Sequence, residues 1–305
     1  MPYDSIKKKL EDGKIIILDG SMGAQLEKKG AQMDKDLWCG KCSINNPDLV
    51  KKVHEEYIEA GADIITTNTY ATTPISMRQH GLSQFIEKYN QESVKIAKDA
   101  VKSSKKDIAI AGSVSTFGNF YKLGTKAMIP GFNEQLKILS DSGVDLIILE
   151  AMSSQADIVE TIIECSTKID MPVWLSISCV MDEENQRVML GYNDTIDRDT
   201  NVYESFDVSI TNFSKLHKGP ILIAHSDIGV TGLAIKDAKK KFAGILGAYP
   251  NKGYYEKPNW KFVDDMRPSD YLKNAKNWVR DGAQIIGGCC GIGPDFIETL
   301  SELKS

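Results

Sequence analysis

Two adjacent thiols, Cys289 and Cys290, end the apolar run AQIIGGCC (283–290) and stand directly behind two glycines. Three chemistries compete for the pair. A disulfide between neighbours would close a strained eight-membered ring. Two buried core cysteines would account for the sulfur but not for the glycines. Two thiolates aimed at one soft or borderline ion would account for both, because glycine lets the chain turn sharply and other backbone approach. Other polar residues that interrupt or end apolar runs are Asp19, Asn68, Ser113, Glu150, Cys179, His225 and Asn251. Carboxylates, an imidazole and thiols collected in this way can hold a cation, an ammonium group or a metal.

The elements that would position them follow from a weak internal repeat. EAGADIITT (59–67), DSGVDLIILE (141–150) and RDGAQIIGG (280–288) each run from a helix end through glycine into an apolar stretch. Glycine just past a helix is a left-handed cap, and the run after it reads as a strand buried on both faces. Eight such runs are present, at 14–20, 63–68, 107–115, 145–151, 172–180, 220–226, 243–250 and 283–290. Amphipathic helical patterns fit 47–61, 82–101, 133–143, 155–168, 201–216, 269–282 and 294–304. The count predicts an α/β chain folded as one domain over 1–305, a (β/α)8 TIM barrel, with an open doubly wound sheet as the alternative. In a barrel the polar residues above would gather at the C-terminal ends of the strands, where such folds carry their chemistry.

Composition removes several function classes. The chain has 305 residues and a formal net charge of −5, which argues against a nucleic-acid surface. The run Lys239–Lys240–Lys241 reads as a solvated helix face. No apolar stretch approaches the length of a membrane span, and the N-terminus lacks the apolar core of a signal peptide. The expectation is a cytoplasmic protein without membrane attachment, whose six cysteines are reduced thiols, metal ligands or core residues.

IIGGCCGIGPDFI together with LDGSMGAQLEKKG resembles the homocysteine S-methyltransferase family. Further matching segments in the same order are DLWCGKCSINNPDLVKKVHEEYIEAGADIITTNTY (36–70), LIILEAM (146–152), AYPNKG (248–253) and WVRDGAQIIGGCCG (278–291). The resemblance implies a zinc-dependent barrel that moves a methyl group from a small donor to homocysteine, and it allows a homo-oligomer. By that resemblance Cys289 and Cys290 are zinc ligands, and Glu150 holds the amino group of homocysteine. Asp19, Gly20 and Ser21 match the turn that lines the same pocket and offers backbone N–H groups to the amino acid's carboxylate. Trp38, Asn68, Thr69 and Tyr70 match positions that shape the methyl-donor side. Read from the residue alone, Asp19 would instead be an N-cap for a helix starting near Ser21.

The chain departs from the family at the third ligand, a cysteine at the end of strand six. Here that strand reads PILIAHSDIG, and an ungapped count back from AYPNKG puts His225 at the position. A one-residue gap would put Ser226 there, and Asp227 offers an oxygen alternative. Cys2His with one open position is a known zinc arrangement, so His225 is the expected ligand. Neutral imidazole in place of thiolate makes the site one unit less negative, which would hold a bound thiolate more tightly and blunt it as a nucleophile. A homocysteine-binding subunit that lost catalysis with its third cysteine is the competing reading.

The remaining thiols and imidazoles carry less. Cys39 and Cys42 in WCGKC lack a second C-x-x-C and a thioredoxin context, and read as an incidental loop pair. Cys165 reads as core, Cys179 as core or pocket wall, and His54 and His80 as helix-surface and loop residues. Family members of this length use S-methylmethionine, S-adenosylmethionine or betaine-type donors. The betaine-using branch has an aromatic residue after the strand-four glutamate; here it is Ala151, which points to a sulfonium donor, with betaine or dimethylsulfoniopropionate as alternatives.

Overall fold

The computed structural model describes residues 2–118, 123–152, 155–191, 204–256, 259–263 and 266–304. All eight apolar runs contain strands: β1 (Ile16–Ile17), β2 (Ile64–Thr66), β3 (Ala109–Ser115), β4 (Leu146–Met152), β5 (Val173–Ile177), β6 (Ile221–Asp227), β7 (Leu246–Asn251) and β8 (Ala283–Ile286). They pair in parallel in the order β1-β8-β7-β6-β5-β4-β3-β2. A parallel bridge between Leu18 and Ile64 joins the two ends, with Asp19 N donating to Ile64 O at 3.0 Å. Closure rules out the doubly wound open sheet and leaves a (β/α)8 barrel.

The runs are apolar throughout because both faces are covered. Alternate residues such as Ile16, Ile148, Trp174, Leu222 and Ile285 fill the barrel interior, while Ile17, Ile147, Leu175, Ile221 and Ile286 meet the surrounding helices. The N-terminal helix Pro2–Glu11 sends Ile6 and Leu10 into the interior cluster, with Tyr3 beside Trp174. That closes the N-terminal end of the barrel. Asp63, at the foot of β2, ties this end together: its carboxylate accepts from Ile17 N (2.9 Å) and pairs with Lys9 and Lys304 (2.9 and 2.8 Å). The opposite end, where the strands finish, is open.

Several elements differ from the sequence reading. The helix expected over 201–216 is Phe206–Leu216, residues 201–203 lying outside the described part of the chain. Strand five stops at Ile177, and Cys179 opens a small antiparallel sheet (Cys179–Asp182, Arg187–Leu190, Glu204–Ser205). A helix, Ile228–Lys241, fills the connection between β6 and β7 that showed no clear helical pattern. Its first turns contain Gly229, Val230, Thr231 and Gly232, poor helix formers, and tertiary burial of Val230, Ala234, Ile235 and Ala238 overrides that preference. Lys239–Lys241 form its last turn, where cations complement the helix dipole. No helix among the described residues is long and apolar enough to cross a membrane.

His54 is the clearest correction. Expected on a helix surface, it is fully buried, on the stripe Val50, Val53, His54, Tyr57 and Ile58 of helix Pro47–Glu59. Neither ring nitrogen has a partner among the described residues, and burial lowers its pKa to about 3. His217, also buried, is lowered to about 4. Below about pH 6.5 the unfolded chain protonates these rings while the folded chain does not, so stability falls as pH drops toward the folded values. Each ring should cost about 1.4 kcal/mol per pH unit over that window. Between pH 7.5 and pH 5 the unfolding free energy from urea titration should therefore change less favourably for wild type than for His54→Leu by about 2 kcal/mol; equal pH slopes would contradict the assignment.

Candidate metal and substrate site

The turn after β8 is stitched to its neighbours by backbone. Gly287 N donates to Ala248 O, Gly288 N to Asp19 O, Cys289 N to Pro250 O, and Lys252 N to Cys290 O, at 2.7 to 3.1 Å. Such close approach explains the flanking glycines. A Cβ on Gly287 would lie 2.6 Å from Leu18 Cβ, and one on Gly291, whose φ is +82°, would lie 1.8 Å from Lys252 O. Gly291→Ala should therefore displace the cysteine turn and cost at least about 2 kcal/mol. Chemical denaturation together with metal content checks this, since a loss of stability without a change in metal content would mean the turn had adapted.

Cys289 and Cys290 leave this turn with their sulfurs 4.0 Å apart, and His225 Nδ1 lies 3.8 Å from Cys289 Sγ. All three ligand atoms fall within 4.8 Å of one another. Tetrahedral zinc with two sulfurs and one nitrogen would set those edges at about 3.8 Å and about 3.5 Å. The donor set therefore fits zinc with little adjustment. The two thiols are driven apart in acidity: hydrogen bonding to Cys290 and the imidazole lower the Cys289 pKa, while the negative Cys289 and burial raise that of Cys290. Asn251 Nδ2 also lies 3.1 Å from His225 Nδ1, and one lone pair cannot serve both the amide and a metal.

His225 owes its aim to a local irregularity. Tyr249 pairs with Ala224 but Asn251 pairs with Asp227, so β6 carries an extra residue at this point. His225 takes a left-handed φ of +47°, and Ser226 pins the bulge by accepting from Cys179 N (2.8 Å) and donating to Ala224 O (2.7 Å). The same device recurs at Glu150. Leu149 pairs with Leu175 and Met152 with Ile177, three residues spanning the place of two, and Ala151 has a φ of +54°. Non-glycine residues held in this region mark strain that the surrounding fold must over-determine.

Glu150 stands half-buried in the cleft wall and accepts a short hydrogen bond from Ser113 Oγ. Burial, followed by the charge of Cys289, pushes its pKa up to about 7, against the opposing hydroxyl and His225. Asp19 is buried, with Thr66 N and Thr66 Oγ1 donating to its two oxygens at 2.6 and 3.0 Å. Burial also raises its pKa well above the carboxylate range. Asp19 is not the N-cap; Ser21 is, with its Oγ accepting from Ala24 N at 3.1 Å. Ser21 N itself donates to Ile292 O, so that N–H is not open to a carboxylate.

The cleft holds about 250 Å³ and is lined by Asp19, Gly20, Ser21, Trp38, Asn68, Tyr70, Glu150, His225, Cys289 and Cys290 among others. The sequence-derived candidates thus converge, with two qualifications. Thr69 is fully buried away from the cleft, its hydroxyl donating to Ser113 O at 2.7 Å. Asn68 borders the cleft, but its amide is occupied by Cys39 O (3.0 Å) and Ser43 Oγ (3.1 Å), and its Oδ1 accepts from Cys39 Sγ (3.2 Å). It fixes the loop that carries Trp38. WCGKC is likewise more than incidental, since Cys39 and Cys42 are both buried and Cys39 reaches the cleft. Cys165 and Cys179 are buried and do not line it.

Sequence reasoning missed Thr66, Phe117, Tyr249 and Trp260, all of which line the cleft. Trp38 meets Tyr70 edge-on at 6.4 Å, and Tyr70 meets Phe117 at 5.8 Å, forming an aromatic wall. Trp260 comes from a hairpin, Tyr254–Glu256 with Asn259–Lys261, and packs against Ala24 and Cys290 while donating from Nε1 to Lys252 O at 3.0 Å. No pattern in the sequence links these rings; only the fold does.

A family model described as homocysteine S-methyltransferase matches residues 16–303. The protein belongs to the homocysteine S-methyltransferase family. Its chain is 28% identical to homocysteine S-methyltransferase 3 of Zea mays over 93% of its own length and 88% of the relative's. It is 27% identical to selenocysteine methyltransferase of Astragalus bisulcatus, covering 96% and 93% of the two chains. The metallated form of the Escherichia coli homocysteine methyltransferase MmuM superposes with a TM-score of 0.77 at 21% identity, covering 99% of each chain, which supports the fold. Family membership makes this protein an enzyme of the methyltransferase class.

Proposed function

We propose that the protein transfers a methyl group from a small sulfonium donor, S-methylmethionine foremost, to the sulfur of homocysteine, giving methionine. The observation that carries this reading is the convergence of Cys289, Cys290 and His225 beside Glu150 in one cleft walled by aromatic rings. Cys289, Cys290 and His225 would hold zinc. Zinc, when bound, would supply a Lewis acid that keeps the acceptor sulfur deprotonated near neutral pH, where a free thiol with a pKa around 8.5 is mostly protonated.

The chain's own residues do the rest. Glu150 takes the acceptor's ammonium group and so sets how far its sulfur reaches toward the cysteine turn. Asp19, with both oxygens held by Thr66, stiffens the first-strand turn and supplies a second carboxyl group beside the acceptor. Trp38, Tyr70, Phe117 and Trp260 offer ring faces to a cationic donor, each contact worth about 0.5–2 kcal/mol when desolvated. The acceptor sulfur attacks the methyl carbon, the donor's C–S bond breaks, and its electron pair neutralises the departing sulfide. Ala151, small where an aromatic would favour betaine, supports the sulfonium choice.

The test is methyl transfer from S-methylmethionine, S-adenosylmethionine, betaine and dimethylsulfoniopropionate, with homocysteine or selenocysteine as acceptor, followed by mass spectrometry of the products. Methionine formed fastest from S-methylmethionine is the expected result. Homocysteine binding without turnover of any donor would instead favour a binding subunit.

A further inference from the structure

Tyr249 takes no part in the chemistry above, yet its hydroxyl crosses the barrel interior. It rises from β7, packs in the inner cluster with Ile148, Trp174 and Cys289, and meets the hydroxyl of Ser176 on β5 at 2.5 Å. Both residues are buried, Ser176 completely. The Ser176 oxygen is also the acceptor for Ala151 N, at 3.1 Å. Ala151 is the left-handed residue of the β4 bulge, directly after Glu150. Three elements therefore meet at one serine oxygen: a strand on the far side of β6, the strand beside β4, and the strained peptide that aims the carboxylate.

A regular strand would leave Ala151 N to bond a neighbouring carbonyl. The bulge gives up that bond, and a buried N–H needs a substitute. A serine hydroxyl is a rotor and supplies the substitute only while it is held in one orientation. Tyr249 is a rigid strut with a polar tip, and its hydroxyl holds that orientation. We propose that Tyr249 is a positioning residue, acting through Ser176 on the Ala151 bulge to fix the direction of Glu150 and hence the affinity for the acceptor amino acid. The last step rests on Glu150 holding the acceptor's ammonium group.

The test combines Tyr249→Phe, Ser176→Ala and the double variant, read by hydrogen exchange of the 147–152 segment and by steady-state kinetics. Tyr249→Phe should speed exchange at Ala151 about tenfold and raise the homocysteine KM about tenfold, with the donor KM, kcat and metal content unchanged within about twofold. Ser176→Ala should do at least as much, and the double variant should be no worse than Ser176→Ala alone, because the two act in series. Unchanged exchange at Ala151 in Tyr249→Phe, or KM effects that add in the double variant, would overturn the proposal. The latter pattern would mean that the tyrosine contacts substrate directly. Exchange is measured without substrate, so faster exchange with no homocysteine binding by any form would preserve the strut and reject the role given to Glu150.

Discussion

Cys290→Ser should purify with little bound metal and turn over at least about 10³-fold more slowly than wild type. Structural zinc binding is worth about 10–16 kcal/mol, so removing one of three protein ligands forfeits about 4 kcal/mol, or about three decades of affinity. Serine is close in size to cysteine, and the turn that carries it is held by backbone hydrogen bonds from Gly287, Gly288, Cys289 and Lys252. The fold should therefore persist, and circular dichroism with a thermal melt separates metal loss from unfolding. His225→Ala should lose metal to a similar degree. Wild-type metal content in either variant would remove that residue from the ligand set.

Glu150→Ala should raise the homocysteine KM about 10²-fold while leaving the donor KM and the metal content near wild type. A hydrogen bond to a charged group contributes about 1.5–3 kcal/mol, one to two decades in binding, and the cleft wall is half-buried, which places this contact toward the stronger end. Stability should move the other way. Burial and Cys289 hold this carboxyl up to about 7, so above the unfolded carboxylate range the folded state pays for its ionisation. The melting temperature of Glu150→Ala at pH 8 should accordingly be no lower than that of wild type, the usual trade of stability for function at such a site. A substrate KM unchanged by this substitution would contradict the role; a large drop in melting temperature would mean that Glu150 is structural.

The barrel was legible because strands covered on both faces are written as uninterrupted apolar runs, and all eight runs hold strands. The cysteine turn was legible for a similar reason: glycine beside adjacent thiols signals a close backbone approach, here measurable at Gly287 and Gly291. His225 required the resemblance and a count of positions, since nothing local distinguishes it from any barrel-mouth histidine. What escaped was non-local. Trp260 reaches the cleft from a hairpin after β7, and Phe117 meets the other rings through Tyr70. Tyr249 and Ser176 lie 73 positions apart. The misreading of His54 was of another kind, because its spacing from Val50, Val53, Tyr57 and Ile58 already placed it on the buried stripe.

Two bulges explain how a regular barrel delivers irregular chemistry. Glu150 and His225 both sit where an extra residue interrupts the register, and both bulges contain a non-glycine residue with positive φ. Trp38 shares that conformation, at φ +45°. Of five such non-glycine residues among the described residues, three are in the cleft wall, so the strain is concentrated where side chains must be re-aimed.

X-ray absorption at the zinc edge, with metal analysis of the wild-type protein as purified, bears most directly on the Cys2His site. About one zinc per chain, with two sulfur donors and one imidazole among its ligands, is the expected result. Less than about a tenth of a metal per chain, or a sulfur-bound metal with no imidazole, would contradict it.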